Sequence, residues 1–412
     1  MIAFIDILGY FSIFLALYFA IFVFSTVFEY KNDFYYKPKR KFQPRVSLVV
    51  PCFNEEKTIA KTLQSFLNLD YQKDNLEIIV VDDGSRDKTL LIAQEFAQKD
   101  KRIKVFHKEN GGKYSALNLG IEKSTCPYLG TVDADSFLHK DSLKKIMEQF
   151  QDPKTMAVIS SVRIANPKTI LEGIQYVEYL MGNFLKKVFS FLNGVNVVPG
   201  PLSVFNKKVF AKIGPYKKAH QTEDLEMALR MQKNNMLIAQ AVDAIVYTQG
   251  CKTFKELLRQ RLRWNKGGLL NYKDYPELFN VKKHGNLTYL LLNSVLGCFV
   301  TMGLFIYATY RLADYAYLKF NQILLAKGDF FRFSFNFPDW VKLNTTPLFF
   351  LGLITLGALL IYIFLGKKFT KDPGPSKRNI LFFIIIFPFI NGIFWIATFL
   401  LIIFKREDLA WD

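Results

Sequence analysis

The sequence predicts an α/β domain with a mostly parallel sheet and helices on both faces, flanked by membrane-spanning helices. Two observations lead to this fold class. Long apolar segments lie toward both ends of the chain. Between them, four short segments rich in β-branched residues alternate with about 25–30 residues of helix-compatible sequence, the length of a βαβ unit. The middle of the chain is therefore the expected folded domain, and the ends are the expected membrane regions.

The first apolar segment is long enough to span a membrane. Residues 7–28 contain no charged side chain. As a helix, a segment of this length crosses a hydrocarbon core of about 30 Å. A cleaved signal peptide is the alternative, but the segment has neither a basic start nor a small-residue cleavage site. We therefore expect residues 1–34 to form an N-terminal transmembrane region.

Three more apolar segments of spanning length follow the central domain. They lie at about residues 287–309, 347–366 and 380–404. Basic residues follow the first span directly, and an excess of Lys and Arg marks the cytoplasmic side of a membrane. These basic residues are Lys37, Lys39, Arg40 and Lys41. We expect a multi-pass protein of the cell membrane with a cytoplasmic domain at 35–250 and a C-terminal membrane region at 286–412.

The last apolar segment is expected to be interrupted. One span before the domain and three after it would place Lys405 and Arg406 outside the cell, against the positive-inside tendency. Pro388, Asn391 and Gly392 lie within this segment. Because proline disturbs a helix and irregular backbone occurs in re-entrant segments, we expect a re-entrant or broken helix here.

Composition and charge exclude several classes of protein. The chain has 54 Lys and Arg against 36 Asp and Glu, a formal net charge of +18. The basic residues gather beside apolar spans rather than in nucleic-acid motifs, so we expect anionic lipid and phosphate as partners and no nucleic acid. The cysteines and histidines are scattered without metal-ligand or redox spacing, which gives no support to a zinc or disulfide site.

Polar residues follow the predicted strands at the edge where such sheets bind ligands. The strands are predicted to begin near Val46, Leu76, Arg102 and Tyr128. Ligands bind beyond the carboxyl ends of parallel strands, so the polar residues there are candidates for a binding site. They are Asn54, Glu55, Asp82, Asp83, Asp133 and Asp135. The sequence DGS at 83–85 also suits a simple turn with a helix cap, and that alternative stays open.

The sequence VDADS at 132–136 indicates a metal site. Asp133 and Asp135 leave a buried strand together, which is unfavourable unless a cation neutralises them. Mg²⁺ and Mn²⁺ prefer carboxylate and phosphate oxygens, so the pair suits a metal that also binds the diphosphate of a sugar nucleotide. A metal there would stabilise the leaving group.

The segment NGGKYSALN at 110–118 is a candidate for phosphate binding. It combines two glycines, Lys113 and a helix start, which together allow close approach of the backbone to an anion. The sequence contains neither GxxxxGKS/T nor GxGxxG. Phosphoryl transfer from ATP and hydride transfer therefore lack support.

A helix after the sheet is predicted to begin with two acidic residues. Glu223 and Asp224 follow Thr222 and precede apolar residues at helical spacing. We expect both acids at an exposed N-terminus, where they interact favourably with the helix dipole. Helix capping is the alternative to a catalytic role.

Two further segments are predicted to form amphipathic helices at the membrane interface. Residues 170–192 mix Tyr, Phe and Leu with few charges. Residues 251–285 contain Thr253 and Glu256, which suit a capping box, followed by QRLRW at 260–264. An interfacial helix is also the simpler explanation of the QRLRW sequence.

Taken in order, the sequences PCFNE, VVDDGS, NGGKYSALN, VDADS, TED and QRLRW resemble the membrane-bound processive members of glycosyltransferase family 2. This group includes cellulose, chitin, hyaluronan and poly-N-acetylglucosamine synthases. The resemblance covers about residues 46–268 and the flanking spans, and Q-x-x-R-W is its most specific part. It implies a GT-A-type, Rossmann-like fold.

The resemblance also implies roles for individual residues. Donor-binding residues would be Pro51, Asn54, Glu55, Asp82, Asp83, Lys113, Asp133 and Arg263. Asp133 and Asp135 would hold Mg²⁺ or Mn²⁺, Asp224 would be the general base, and Glu223 is the second candidate for the base. Gln260, Trp264 and Gly200 would line the acceptor end of the channel. An Arg beside a diphosphate and an indole against a pyranose ring also make independent chemical sense.

The implied reaction is inverting transfer of a sugar from a UDP-sugar to the growing end of a β-linked polysaccharide, coupled to export through the membrane. The single leading span and the residues around QRLRW are most similar to poly-β-1,6-N-acetylglucosamine synthases, which makes UDP-N-acetylglucosamine the expected donor. VPGPLSVF at 198–205 is similar to hyaluronan and chitin-type synthases. The sequence is also compatible with a nonprocessive enzyme that makes a glycolipid and with an inactive scaffold. The expected partners are the donor, the polymer, the lipid bilayer and a small accessory membrane protein.

Overall fold

The computed structural model describes residues 4–325 and 347–404. Within these ranges the β-strands are β1 Val46–Cys52, β2 Leu76–Asp82, β3 Ile103–His107, β4 Tyr128–Thr131, β5 Phe137–Leu138, β6 Thr155–Ile164, β7 Ser203–Asn206 and β8 Leu237–Thr248. The α-helices are α1 Phe4–Tyr30, α2 Ile59–Leu67, α3 Thr89–Lys99, α4 Lys113–Lys123, α5 Ser142–Gln149, α6 Ile170–Phe191, α7 Lys208–Ile213, α8 Glu223–Lys233, α9 Phe254–Asp274, α10 Val281–His284, α11 Asn286–Leu325, α12 Pro347–Thr370 and α13 Lys377–Ile403.

The strands form one mixed sheet in the order β3-β2-β1-β4-β7-β6-β8-β5. The four strands predicted from the sequence are adjacent and parallel, as expected. Strand β7 runs antiparallel to its two neighbours, β4 and β6, whereas β6 and β8 are parallel. The predicted mostly parallel sheet is therefore confirmed, with an antiparallel strand at its centre.

Helices cover both faces of the sheet. Leu48 and Val50 of β1 pack with Ile59 of α2 on one face. Val49 between them packs on the other face with Ala116 of α4 and Met227 of α8. Successive side chains of a strand point to opposite faces, so an apolar run without polar alternation is what a sheet covered on both faces requires.

Four helices are long and apolar enough to cross a membrane, namely α1, α11, α12 and α13. The expected interruption of the last segment is wrong, because α13 continues through Pro388 as one helix. Gly392 allows close packing of α13 on α11, since a Cβ there would lie 2.5 Å from Cδ2 of Phe305. Packing of this kind lets a spanning helix tolerate the hydrogen bond lost at proline. Lys405 and Arg406 lie outside the described residues.

Each of these four apolar helices contacts the sheet domain or its α6 helix near one end. Just after α1, the hydroxyl of Tyr35 donates to the carbonyl oxygen of Phe369 in α12 over 2.9 Å. The hydroxyl of Thr288 in α11 donates to the carbonyl oxygen of Leu278. Helix α13 begins beside Gly173 of α6. The four helices therefore alternate in direction, away from and toward the domain.

Helix α6 forms a layer between the sheet and the four long apolar helices. Val177 and Leu180 pack against Ile363 of α12 and Phe383 of α13. The side chain of Asn183 exchanges two hydrogen bonds with the backbone of Val162 in β6. The predicted helix at 170–192 is therefore present, and it connects the sheet to the helices that are long enough to span a membrane.

Candidate active site

A cavity of about 550 Å³ lies at the carboxyl edge of the sheet, between α6, α8 and α9. The carboxyl ends of the parallel strands β1, β2 and β4 lie at this edge. The polar residues that follow these strands therefore converge there. Most of the residues predicted from the sequence line this cavity: Pro51, Glu55, Asp83, Lys113, Asp133, Asp135, Gly200, Glu223, Asp224, Gln260, Arg263 and Trp264.

Asn54 and Asp82 lie outside the cavity lining. The backbone of Asn54 has a φ of 56° and its amide donates to the hydroxyl of Ser85 over 3.0 Å. The Asp82 carboxylate is buried and lies 2.7 Å from Nδ1 of His107. Both residues therefore hold neighbouring loops in place, and their predicted contact with the donor stays a prediction.

Asp83 shapes the loop before α4. Its carboxylate accepts hydrogen bonds from the backbone of Gly111 over 3.0 Å and of Gly112 over 2.8 Å, and from Nζ of Lys108 over 2.7 Å. Gly112 has a φ of 87°, which suits glycine and turns the chain into the helix that begins at Lys113. The acidic strand end and the NGGK sequence therefore form one structural unit that points Lys113 into the cavity.

Lys113 lies among carboxylates. Its Nζ is 2.7 Å from Oδ1 of Asp133 and 3.5 Å from Oε1 of Glu223. Burial alone would lower the pKa of Lys113, but the carboxylates of Asp133, Glu223 and Asp224 outweigh burial and raise it well above its usual range. Lys113 is therefore a fixed positive charge in the cavity, suited to an anionic ligand.

The pair Asp133 and Asp135 suits a divalent cation. Burial, together with the charge of Asp133, raises the pKa of Asp135 to about 6. Burial, and then the charges of Asp135 and Asp133, raise the pKa of neighbouring Glu55 to about 7, although its hydrogen bond with Thr58 opposes the shift. Such mutual repulsion is relieved when a cation lies between the carboxylates. Within the described ranges, no three His, Cys, Asp or Glu side chains form a metal cluster, so phosphate or water oxygens would complete the coordination.

Gly200 lies against the carboxylate of Asp133. Its carbonyl oxygen accepts a hydrogen bond from the Asp133 amide over 3.0 Å. A Cβ at Gly200 would lie 2.5 Å from Oδ1 of Asp133 and closer still to Oδ2. Only glycine therefore permits this close approach of the backbone to the carboxylate.

Gly200→Ala is expected to lower the rate of the sugar transfer that the sequence predicts by about 10²-fold, because the added methyl group must displace the Asp133 carboxylate by about an ångström. The measurement is initial rate at saturating donor, with circular dichroism to monitor folding. Gly357→Ala in α12 is the matched control, since a Cβ there meets no atom within 4 Å. Equal rates for the two variants would contradict a role for this contact.

The two acids that open α8 are not exposed, which corrects the prediction from sequence. Glu223 is 4% exposed and faces the cavity. Burial, and then the charge of Glu223, raises the pKa of Asp224, whereas Lys113 and Arg263 lower it. A carboxylate with a raised pKa accepts a proton more readily, so Asp224 has the property that a general base requires.

An unusual backbone segment turns the chain into α8. Ala219, His220 and Gln221 have φ values of 43°, 51° and 64°, which are unfavourable for side chains other than glycine. Helix α9 holds this segment through Arg263, whose Nη1 donates to the carbonyl oxygen of Gln221 over 3.0 Å. Asn271 donates to the carbonyl oxygen of Ala219 over 3.1 Å. Strained backbone of this kind persists where surrounding contacts hold it, often at functional sites.

The QRLRW helix closes one side of the cavity. The predicted capping box is present, with the Glu256 amide donating to the Thr253 hydroxyl over 3.2 Å. Residues that sequence reasoning did not select also contribute here. The guanidinium of Arg261 lies 4.4 Å from the centre of the Trp264 ring and 2.8 Å from Oε2 of Glu178 in α6. Helical periodicity was the available signal, because positions 260, 261 and 264 share one face of a helix.

Comparison with known proteins shows the family to which the chain belongs. The fold and cavity define the class of GT-A-type glycosyltransferases with apolar helices of membrane-spanning length. Residues 47–214 match the family described as Glycosyl transferase family 2. The chain is 30% identical over 288 residues to the poly-β-1,6-N-acetyl-D-glucosamine synthase of Staphylococcus epidermidis, covering 67% of this chain and 68% of that protein. The chain belongs to glycosyltransferase family 2.

Two further likenesses describe the extent of similarity. The poly-β-1,6-N-acetyl-D-glucosamine synthase of Staphylococcus aureus strain COL is 30% identical over 274 residues, or 64% of this chain and 65% of that protein. The mannosyltransferase PcManGT from Pyrobaculum calidifontis, solved with GDP-Man and Mn²⁺, has a TM-score of 0.59 at 16% identity, covering 96% of this chain and all of that chain. The latter likeness concerns the fold.

Proposed function

We propose that this glycosyltransferase transfers N-acetylglucosamine from UDP-N-acetylglucosamine to the growing end of a β-linked polysaccharide. The observation that carries the proposal is that one cavity contains both charged residues suited to a nucleotide diphosphate and the QRLRW residues. Helix α6 also lines this cavity. Similarity to two staphylococcal poly-β-1,6-N-acetyl-D-glucosamine synthases supports this donor and product class.

The donor diphosphate binds between Lys113 and Arg263. Both cations line the cavity, and an arginine matches phosphate oxygens in geometry as well as charge. Asp133 and Asp135, which line the same cavity, would hold Mg²⁺ or Mn²⁺. When bound, the divalent ion neutralises the diphosphate and makes UDP a better leaving group.

Asp224 is the general base. Its carboxylate accepts the proton of the acceptor hydroxyl while that oxygen forms a bond to the anomeric carbon of the donor sugar. The bond from that carbon to the diphosphate oxygen breaks, and its electron pair leaves with UDP. Attack opposite the leaving group inverts the configuration, so an α-linked donor gives a β-linked product. A positioned base of this kind contributes about 10²–10⁴-fold to a rate.

The acceptor side of the cavity adjoins the membrane region. Helix α6 contributes to the cavity wall and also packs against α12 and α13. We propose that the polymer leaves past these helices, which would couple elongation to export from a cytoplasmic domain at the cell membrane. The basic residues that follow α1 support this orientation.

The test of this function uses purified membranes and a panel of radiolabelled UDP-sugars. We expect UDP-N-acetylglucosamine to give a long product that β-specific N-acetylglucosaminidases degrade. Incorporation that requires a second, uronic acid donor would favour a hyaluronan-type synthase. Label confined to a lipid fraction as one or a few sugars would indicate a nonprocessive enzyme. No transfer from any nucleotide sugar would contradict the proposal.

Trp264→Ala is expected to impair use of the acceptor, whereas Arg263→Ala is expected to impair use of the donor. The indole offers a flat apolar face to a pyranose ring, so Trp264→Ala should shorten the product with UDP binding nearly intact. Arg263→Ala should instead raise the KM for the donor or lower donor turnover, whatever the acceptor. The measurements are product length on gels and UDP affinity by calorimetry. If chains made by the Trp264 variant have normal length, Trp264 only anchors the helix.

A further inference from the structure

One face of α6 is unassigned and lies on the cavity. Glu178, Gly182 and Lys186 recur at intervals of four residues, and together with Tyr179 they line the cavity wall. Val177, Leu180 and Phe184 lie on the opposite side of the helix, where they pack among residues of the spanning helices. Residues four apart share one helix face, so α6 presents one face to the membrane helices and the other to the cavity.

Lys186 is a cation in this face without a polar partner among the described residues. Within residues 4–325 and 347–404, no hydrogen bond or ion pair involves its ammonium group. Lys186 lines the same cavity as Asp224 and Glu178. Burial lowers the pKa of Lys186, whereas the charges of these two carboxylates raise it. A partly buried polar group without a partner is unfavourable, so a ligand that accepts hydrogen bonds would stabilise it.

Gly182 leaves open space on the same face. A Cβ built at this position meets no atom within 4 Å, although Gly182 lies in the middle of a 22-residue helix. Glycine in a helix interior is less stable than alanine, so its presence calls for a reason other than helix formation. Gly182 lines the cavity between Glu178 and Lys186, so the helix backbone is accessible from the cavity at this position.

The Arg261 side chain links this face to the QRLRW helix. Its guanidinium pairs with Glu178 of α6 over 2.8 Å and covers the ring of Trp264 in α9. Through these two contacts, Arg261 sets the position of Glu178, Gly182 and Lys186 relative to Trp264. A carboxylate and an ammonium on one face suit a neutral ligand that both donates and accepts hydrogen bonds, as a sugar does.

We propose that the α6 face formed by Glu178, Tyr179, Gly182 and Lys186 binds the terminal sugar of the acceptor. The proposal rests on the proposed polysaccharide-forming reaction. Lys186 donates a hydrogen bond to an oxygen of that sugar, and the ring occupies the space over Gly182. This contact orients the attacking hydroxyl toward Asp224, so Lys186 binds the acceptor and not the donor.

Lys186→Met tests the contact, because methionine keeps the length of the side chain and removes the charge. The full-length enzyme is assayed in detergent with UDP-N-acetylglucosamine and a short β-linked N-acetylglucosamine oligosaccharide, each varied separately. We expect the KM for the acceptor to rise about tenfold or more, as for loss of a charged hydrogen bond. The KM for the donor should change less than twofold, and Lys186→Arg should restore much of the acceptor affinity.

Gly182→Leu gives a second, independent test. A leucine side chain would begin in open space, because a Cβ at Gly182 meets no atom within 4 Å, so folding should be retained while acceptor use falls by a similar factor. The matched controls are Gly297→Leu in α11, where a Cβ also meets no atom within 4 Å, and Lys212→Met at an exposed position. Both controls should have the wild-type KM for the acceptor.

Two outcomes would overturn the subsite alone. One is an unchanged acceptor KM in both the Lys186→Met and Gly182→Leu variants, while the wild-type enzyme makes polymer. The other is a rise in the donor KM only, which would place Lys186 beside the diphosphate. If the wild-type enzyme transfers sugar from no UDP-sugar, the proposed function and this subsite are both wrong.

Discussion

Asp224→Asn is expected to lower polymer synthesis by about 10²–10⁴-fold while the enzyme still binds UDP. The amide has nearly the same shape as the carboxylate but cannot accept the proton of the acceptor hydroxyl. Asp224 is half-buried and its pKa is raised, which is the reason to expect the larger part of this range. The measurements are initial rate of incorporation and UDP affinity by calorimetry.

Glu223→Gln discriminates between the two acids at the start of α8. Glu223 lies 3.5 Å from Nζ of Lys113, so its loss should disturb the donor side and leave proton transfer in place. We expect the Glu223 variant to keep more activity than the Asp224 variant. If the Glu223 variant instead loses more activity than the Asp224 variant, Glu223 is the base. Asp70→Asn, at a side chain that is 64% exposed, is the control for removal of a carboxylate.

Removal of divalent metal is expected to abolish synthesis, with a loss of at least about 10²-fold. Asp133 and Asp135 repel each other and the diphosphate unless a cation lies between these charges, as the raised pKa of Asp135 indicates. The assay is incorporation after treatment with excess chelator and after readdition of Mg²⁺ or Mn²⁺. Full turnover in chelator would refute the metal assignment.

Direct binding of Mn²⁺ distinguishes the metal site from a general effect of chelation. Electron paramagnetic resonance should detect bound Mn²⁺ in the presence of UDP, because the described protein residues alone do not form a cluster of three ligands. Asp133→Asn and Asp135→Asn should each weaken this binding about tenfold or more. Mn²⁺ bound equally well by both variants would move the site elsewhere.

Much of the fold and most of the candidate site could be predicted because the signals are local. The four predicted strands are present at Val46, Leu76, Ile103 and Tyr128, since short β-branched runs form buried strands almost independently of their surroundings. Parallel strands bring their carboxyl ends to one edge. For that reason, residues far apart in the sequence, such as Asp83 and Asp133, were expected in one site and both line the cavity.

The errors and omissions concern contacts between distant parts of the chain. Pro388 suggested an interruption, yet α13 is continuous because it packs closely on α11 at Gly392. Glu223 was expected to be exposed, yet three residues with positive φ turn the chain so that it faces the cavity. Neither the packing partner of a helix nor its direction relative to a sheet follows from the sequence around it.

By itself, the sequence determined the four adjacent parallel strands, the apolar helices of spanning length and the residue types that carry the chemistry, because periodicity, length and acid spacing are properties of short segments. Only the tertiary structure decided which charges meet. It placed Lys113 among three carboxylates, paired Arg261 with Glu178 and turned one face of α6 toward the cavity. Such contacts depend on the relative positions of whole helices, which are decided by packing across the entire domain.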